Sequence, residues 1–193
     1  PITHFLPWQR EAFGLVQTDR FALLSGLAYN HLHRDIFTTL YLGATLCVPP
    51  PEIVKAPPRL AEWLMENSIS VLHLTPALGQ LLLTAGTQPL PALRRVFFGG
   101  DVLTRREVAR IRELAPNATI GSFYGATETQ RAVGYYEIPF DFVCKDTEAN
   151  KPILLGRGIK DVQLLLLNKA GKLPGLGELG ELYVRSPHLA EGY

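Results

Sequence analysis

Long apolar runs are missing: none approaches the roughly 20 residues that a membrane-spanning helix needs. The N-terminal PITHFLPWQREAF also lacks the charged-then-apolar order of a signal peptide, so the chain reads as cytoplasmic. Cysteine is scarce. Cys47 and Cys144 are the only two, with no CxxC or Cys/His spacing, which argues against a disulfide framework or a cysteine-based zinc site. Both read as buried small hydrophobes. An excess of either charge is lacking too: Lys+Arg 19 against Asp+Glu 18 leaves +1, so bulk charge draws the chain neither to nucleic acid nor to a membrane surface. No GxxxxGK[ST] occurs, hence no Walker-type phosphate loop, and no repeat or low-complexity tract is visible.

What is present is a 193-residue chain, 47% hydrophobic, long enough to bury a core. Short apolar runs alternate with helical patterns between residues 21 and 139, which predicts an α/β fold: a layered sheet with flanking helices. The predicted strands are 21–25, 45–49, 70–74, 94–99, 118–123 and 131–138. Thr104 and Glu107 form a capping box before the stripe Val108, Ile111, Leu114. Pro76 suits a first helical turn, with Gly86 at that helix's end, and Pro58 to Asn67 makes a further helix. After about residue 140 the pattern changes to strands separated by glycine turns, which reads as the start of a smaller β-rich subdomain. The division is therefore 1–140, the α/β portion, and 141–193, the β-rich start.

Several tempting signals have plain explanations. Gly175 to Gly180 spells GxGxxG, but the strand-like ELYV follows where a dinucleotide fingerprint needs a helix, so it reads as a turn. His31 and His33 would share a face if they lay on a strand, yet no third ligand stands at metal spacing. Arg34 and Asp35 read most simply as a solvated helix start. His73, inside VLHLTP, reads as a hydrogen-bonded core histidine. Arg105, Arg106, Arg110 and Arg112 read as a solvated helix face.

Chemistry concentrates in two pieces. Phe97-Phe-Gly-Gly-Asp101 closes one strand with glycines, and Tyr124-Gly-Ala-Thr-Glu-Thr129 follows the next. Adjacent strands of an open α/β sheet ending in such loops define a crevice at their carboxyl edge. There a tyrosine can stack on a purine, a glycine lets backbone approach, a threonine can donate to phosphate and a glutamate can hold Mg2+. An arginine would remain for an anionic substrate. The same Gly-Thr-Glu turn is also compatible with a loop that merely caps itself.

YGATET (124–129) resembles the YG-x-TE core of acyl-adenylate-forming enzymes, the class that includes the adenylation domains of nonribosomal peptide synthetases. VFFGGDVLT (96–104) is similar to the strand that ends in that family's adenine-binding turn. GELGELYVRSPHLAEGY (177–193) looks like its later GEL…GY motif, with Ser186 at the usual second glycine. The similarity runs along nearly the whole chain. VLHLTPALGQ (71–80), HRDIF (33–37) and TETQRAV (127–133) further resemble the α-aminoadipate-reductase branch, whose members end in a thioester reductase.

The resemblance implies an ATP-dependent ligase that activates an amino or dicarboxylic acid as acyl-adenylate and passes it to the phosphopantetheine thiol of a carrier-protein domain. NADPH would enter if a reductase domain follows. It also implies roles. Tyr124 stacks on adenine, Gly99, Gly100 and Gly125 admit the nucleotide, and Asp101 lies beside it. Thr127 contacts the α-phosphate and Glu128 ligates Mg2+. The acid pocket is carried over to Asn30, His31, Arg34, His73, Phe97, Gly99, Phe123, Arg131 and Ala132. Two arginines and two histidines around one cavity favour a substrate with a second negative group. Asn30 stands where amino-acid-activating relatives usually have aspartate, and an amide cannot supply that counter-charge to an α-ammonium. The phosphate loop is expected before Pro1, and the ribose-binding aspartate, hinge and catalytic lysine after Tyr193, so the chain is expected to read as an internal fragment unable to adenylate by itself. Two other readings compete: an acyl-CoA synthetase-type ligase, and a non-catalytic nucleotide-binding scaffold.

Overall fold

The computed structural model describes residues 2–26, 31–84, 88–126, 128–129 and 132–190. In chain order the elements are α1 (Ile2–Phe13), β1 (Arg20–Ala22), α2 (His31–Leu42), β2 (Thr45–Cys47), α3 (Pro51–Val54), α4 (Pro57–Glu66), β3 (Val71–Leu74), α5 (Pro76–Leu83), β4 (Arg95–Phe98), α6 (Arg105–Leu114), β5 (Thr119–Tyr124), β6 (Gly134–Ile138), a 3-10 turn (Asp146–Glu148), β7 (Arg157–Gly158), β8 (Gln163–Leu167) and β9 (Glu181–Arg185). The first seven strands form one sheet in the order β2-β1-β3-β4-β5-β6-β7, and β8 and β9 form a separate antiparallel pair. Strands β1 to β5 are parallel, while β6 and β7 run antiparallel at the edge. The parallel part, 2-1-3-4-5, is a doubly wound order, which places helices on both faces and ligands at the carboxyl edge.

Alternation along the strands sorts two cores. Leu72, Leu74, Val96, Phe98 and Ile120 face α3 to α6, where Ile53, Leu60, Leu64, Leu82, Val108 and Ile111 meet them. Phe21, Val71, Phe97 and Phe123 face the other way and pack on Phe5, Leu6, Trp8 and Phe13 of α1. That second core is aromatic. The Phe97 and Phe123 rings stack at 4.9 Å, and Phe13 meets both.

All six predicted strands are present: β5 keeps its predicted length but starts one residue later, and the other five are shorter by one to three residues. The Thr104 capping box forms as read, with both reciprocal bonds made, and Thr75 caps α5 ahead of Pro76. The end of that helix at Gly86 lies outside the described residues. Helix α1 was not read from the sequence. Pro7 sits inside it and hides a spacing, Phe5, Trp8, Gln9 and Phe13, that buries one face. Cys47 is buried but Cys144 is only half-buried, so the second is not the core residue expected; both thiols are free. The GxGxxG match falls in the connection from β8 to β9, as a turn. Among the described residues, no helix is long and apolar enough to cross a membrane.

Candidate active site

Three segments converge at the carboxyl edge of β4 and β5. Strands β4 and β5 pair in parallel with Phe98 beside Ser122, so the loops after Phe98 and Tyr124 leave the same edge of the sheet. The first turn of α2 closes the group. Gly99 is flanked by the Arg34 guanidinium and by the Phe123 carbonyl, each 3.5 Å from where a Cβ would stand. Gly100 has φ +90°, and a Cβ there would lie 2.6 Å from the His31 ring. Only glycine fits that left-handed turn against that ring.

Hydrogen bonds pin several of the described residues that follow β5. The Val133 amide donates to the Tyr124 carbonyl (2.7 Å), and Thr129 Oγ1 accepts from the Ala126 amide (2.8 Å) while donating to its carbonyl (3.0 Å). Tyr124 is half-buried at the strand end, and Gly125, Ala126 and Glu128 are exposed. The Asp101 carboxylate accepts from the Val102 amide (2.7 Å), which fixes the far end of the glycine turn.

The acid-pocket positions divide by depth. Arg34 is 6% exposed and its guanidinium lies over the Phe123 ring at 5.7 Å. Asp35 is fully buried. The solvated helix start expected for this pair is therefore wrong, because α2 turns its first-turn charges toward the sheet. His31 and His33 lie on that helix, not on a strand, and two residues at 100° each separate their rings. His31 faces Gly100, while His33 is exposed near Phe37. Phe97, Phe123 and Ala132 are buried beneath the cleft. Asn30, Thr127 and Arg131 lie outside the described residues.

His73 belongs to a buried chain of hydrogen bonds that the sequence reading only half recognised. Its Nδ1–H donates to Asp35 Oδ1 (2.7 Å), and its Nε2 accepts from Gln9 Nε2–H (2.8 Å). Gln9 Oε1 in turn accepts from Thr38 Oγ1–H (3.1 Å). In this arrangement each link has one donor and one acceptor. Gln9, Thr38 and Asp35 are all at 0% exposure, which makes the chain a tie between α1, α2 and β3. It also leaves neither ring nitrogen of His73 open to a ligand. Gln9 and Thr38 carried no sequence signal, since their partners lie 29 and 64 residues away.

Two of the four helix-face arginines are also committed. Arg112 donates from Nη1 to the Ala118 carbonyl (2.5 Å) and sits 4.6 Å over the Phe140 ring. Arg105 lies 3.5 Å from Glu148 and 5.0 Å over the Phe142 ring. Only Arg106 and Arg110 are simply exposed.

The family model for AMP-binding enzymes matches residues 2–193. The L-2-aminoadipate reductase large subunit of Eremothecium gossypii is 46% identical over 199 residues, covering all of this chain and 14% of that protein. The L-2-aminoadipate reductase of Schizosaccharomyces pombe is 43% identical over 196 residues, with the same coverage. A solved structure of the nonribosomal peptide synthetase FmoA3 superposes with a TM-score of 0.85 at 28% identity, over 98% of this chain and 20% of that one. The chain thus spans about a seventh of the length of these reductases.

Proposed function

Because the chain belongs to the AMP-binding enzyme family, we propose that the cleft over β4 and β5 receives ATP and a carboxylic acid and joins them as an acyl-adenylate. The observation that carries this reading is the convergence of the Gly99–Gly100 turn, the Tyr124 strand end and Arg34 on one edge of the sheet. Tyr124 offers a ring face to adenine, and the side-chain-free turn at Gly99 and Gly100 lets the base edge reach backbone, with Asp101 and Gly125 alongside. Thr127 donates to the α-phosphate. The exposed Glu128 carboxylate suits Mg2+, which takes oxygen ligands and would neutralise phosphate charge.

The acid's carboxylate oxygen attacks the α-phosphorus, and the bond to the bridging oxygen breaks, releasing pyrophosphate. No protein nucleophile is required. The chain contributes position and charge. Arg34 is buried beside Gly99, where a second carboxylate on the substrate would meet its guanidinium, with Arg131 as a further candidate. His31, at the same turn, borders that space, and Phe97, Phe123 and Ala132 supply its apolar floor. A dicarboxylic substrate also accords with the aminoadipate in the names of the two reductases. The acyl group then passes to the phosphopantetheine thiol of a carrier domain in the cytoplasm, and NADPH serves a reductase domain where one follows.

Acid-dependent exchange of pyrophosphate into ATP, run on the protein that contains this chain with a panel of mono- and dicarboxylic acids, tests the reading. Dicarboxylic acids are expected to lead. Arg34→Ala should lower kcat/KM for them by about 10- to 100-fold relative to monocarboxylic acids, the scale of one charge-assisted hydrogen bond. Equal loss for both classes would remove the second carboxylate from the account. Turnover that needs free coenzyme A instead of a carrier would assign the chain to the acyl-CoA synthetases.

A further inference from the structure

Three metal-ligating side chains from distant parts of the sequence meet where the start of α1 lies against the β8–β9 pair. They are His4, Asp161 and His188, and their ligand atoms all lie within 4.8 Å of one another. His4 sits in the first turn of α1. Asp161 sits in the turn before β8, which the Val162 amide closes onto the Ile159 carbonyl (3.0 Å). The Asp161 backbone is left-handed (φ 58°), a conformation that aspartate tolerates better than most residues. His188 follows β9.

The His4 ring is the unusual member. Its side chain is 13% exposed, yet Nε2 is buried and has no hydrogen-bond partner. The nearest acceptor, Asp161 Oδ2, stands at 3.6 Å, too far for a hydrogen bond. The His188 ring packs on it with centroids 4.0 Å apart. A cavity of about 20 Å3 opens beside the two imidazoles, bordered by Thr129 and Ser186, enough for one water or one small ion.

The spacing has a simple interpretation. Four ligands at 2.0–2.1 Å around a tetrahedral ion lie about 3.4 Å from one another, close to the 3.6 Å between His4 and Asp161. We propose that His4, Asp161 and His188 form a three-ligand site for a divalent transition-metal ion of the zinc class, with the fourth position open to water from the adjoining cavity. Two imidazoles and one carboxylate suit zinc or cobalt, while magnesium and calcium prefer all-oxygen sets. The site therefore differs in chemistry from the Mg2+ position at Glu128. Filled, it ties the first turn of α1 to the segments on either side of the β8–β9 pair, and it stiffens the wall that includes Thr129, one residue from Glu128.

Cobalt titration of the full 193-residue chain reads this directly, because a four-coordinate site gives strong visible d–d bands. One equivalent should bind, zinc should displace it, and millimolar Mg2+ should not. Loss of a ligand, in His4→Ala or His188→Asn, should weaken binding by more than the roughly 100-fold that changes in a ligand's supporting partners cause. His33→Ala should change nothing. Far-ultraviolet circular dichroism of each variant separates lost binding from lost folding, and His188→Asn, at a half-exposed position, is the one expected to keep the fold. Absence of d–d bands in the parent chain, displacement by Mg2+, or equal cobalt uptake by a folded His188→Asn variant would overturn the site.

Discussion

A Cβ at residue 100 would lie 2.6 Å from the His31 ring, on a backbone already at φ +90°. Gly100→Ala is therefore expected to cost about 1–3 kcal/mol in strain and to swing His31 into the cleft. A lower unfolding midpoint together with weaker nucleotide binding would show it; a variant equal to the parent in both would place the ring elsewhere. Asp19 makes a second residue-level case. Burial pushes its carboxyl up, but hydrogen bonds from Arg94, the Val16 amide and Ser70 outweigh this and hold it below its ordinary 3.8. Its folded value thus lies under its unfolded one, so its contribution is complete above about pH 4 and is lost as pH falls through the folded value. Asp19→Asn should remove about 2 kcal/mol at pH 7 and flatten the acid limb of a stability–pH curve. Neither Asp19 nor the orientation of Arg34 could be read from sequence, because each depends on partners brought together by the sheet.

Among the elements, α6 was the most legible, since its signal is local: Thr104, Glu107 and three apolar residues within eleven positions. Thr104→Ala is expected to destabilise by about 1 kcal/mol, measurable by urea denaturation. Helix α1 was the least legible, because Pro7 interrupts it and the polar Gln9 occupies its buried face. The reason for that glutamine lies in other elements. Through His73 and Asp35 it joins α1 to α2 and β3. Asp35 Oδ2 is buried with no hydrogen-bond partner among the described residues, so the carboxylate depends on His73. His73→Ala should therefore cost about 1–3 kcal/mol, the scale for leaving buried hydrogen-bonding groups without their partner. Loss of less than about 1 kcal/mol in equilibrium unfolding would mean that the chain of bonds is not coupled.

For the whole molecule, strand and helix alternation was readable as an α/β sheet, but the strand order was not. Periodicity shows which face a residue takes and says nothing of which strand lies beside which. The carboxyl-edge cleft was inferred from glycine placement and adjacency, and the parallel pairing of β4 with β5 now puts both loops at one edge. The His4, Asp161 and His188 cluster lay beyond reach for the opposite reason: its members are 157 and 27 residues apart in sequence, with no motif to join them.

The purine wall formed by Tyr124 and the Gly99–Gly100 turn is the claim on which the rest depends, and calorimetric titration of the chain with AMP measures it most directly. One site is expected, with Tyr124→Ala weakening it by about tenfold or more, the scale of base–aromatic stacking. Unchanged affinity in a folded Tyr124→Ala variant, or no heat of binding in the parent chain, would contradict it.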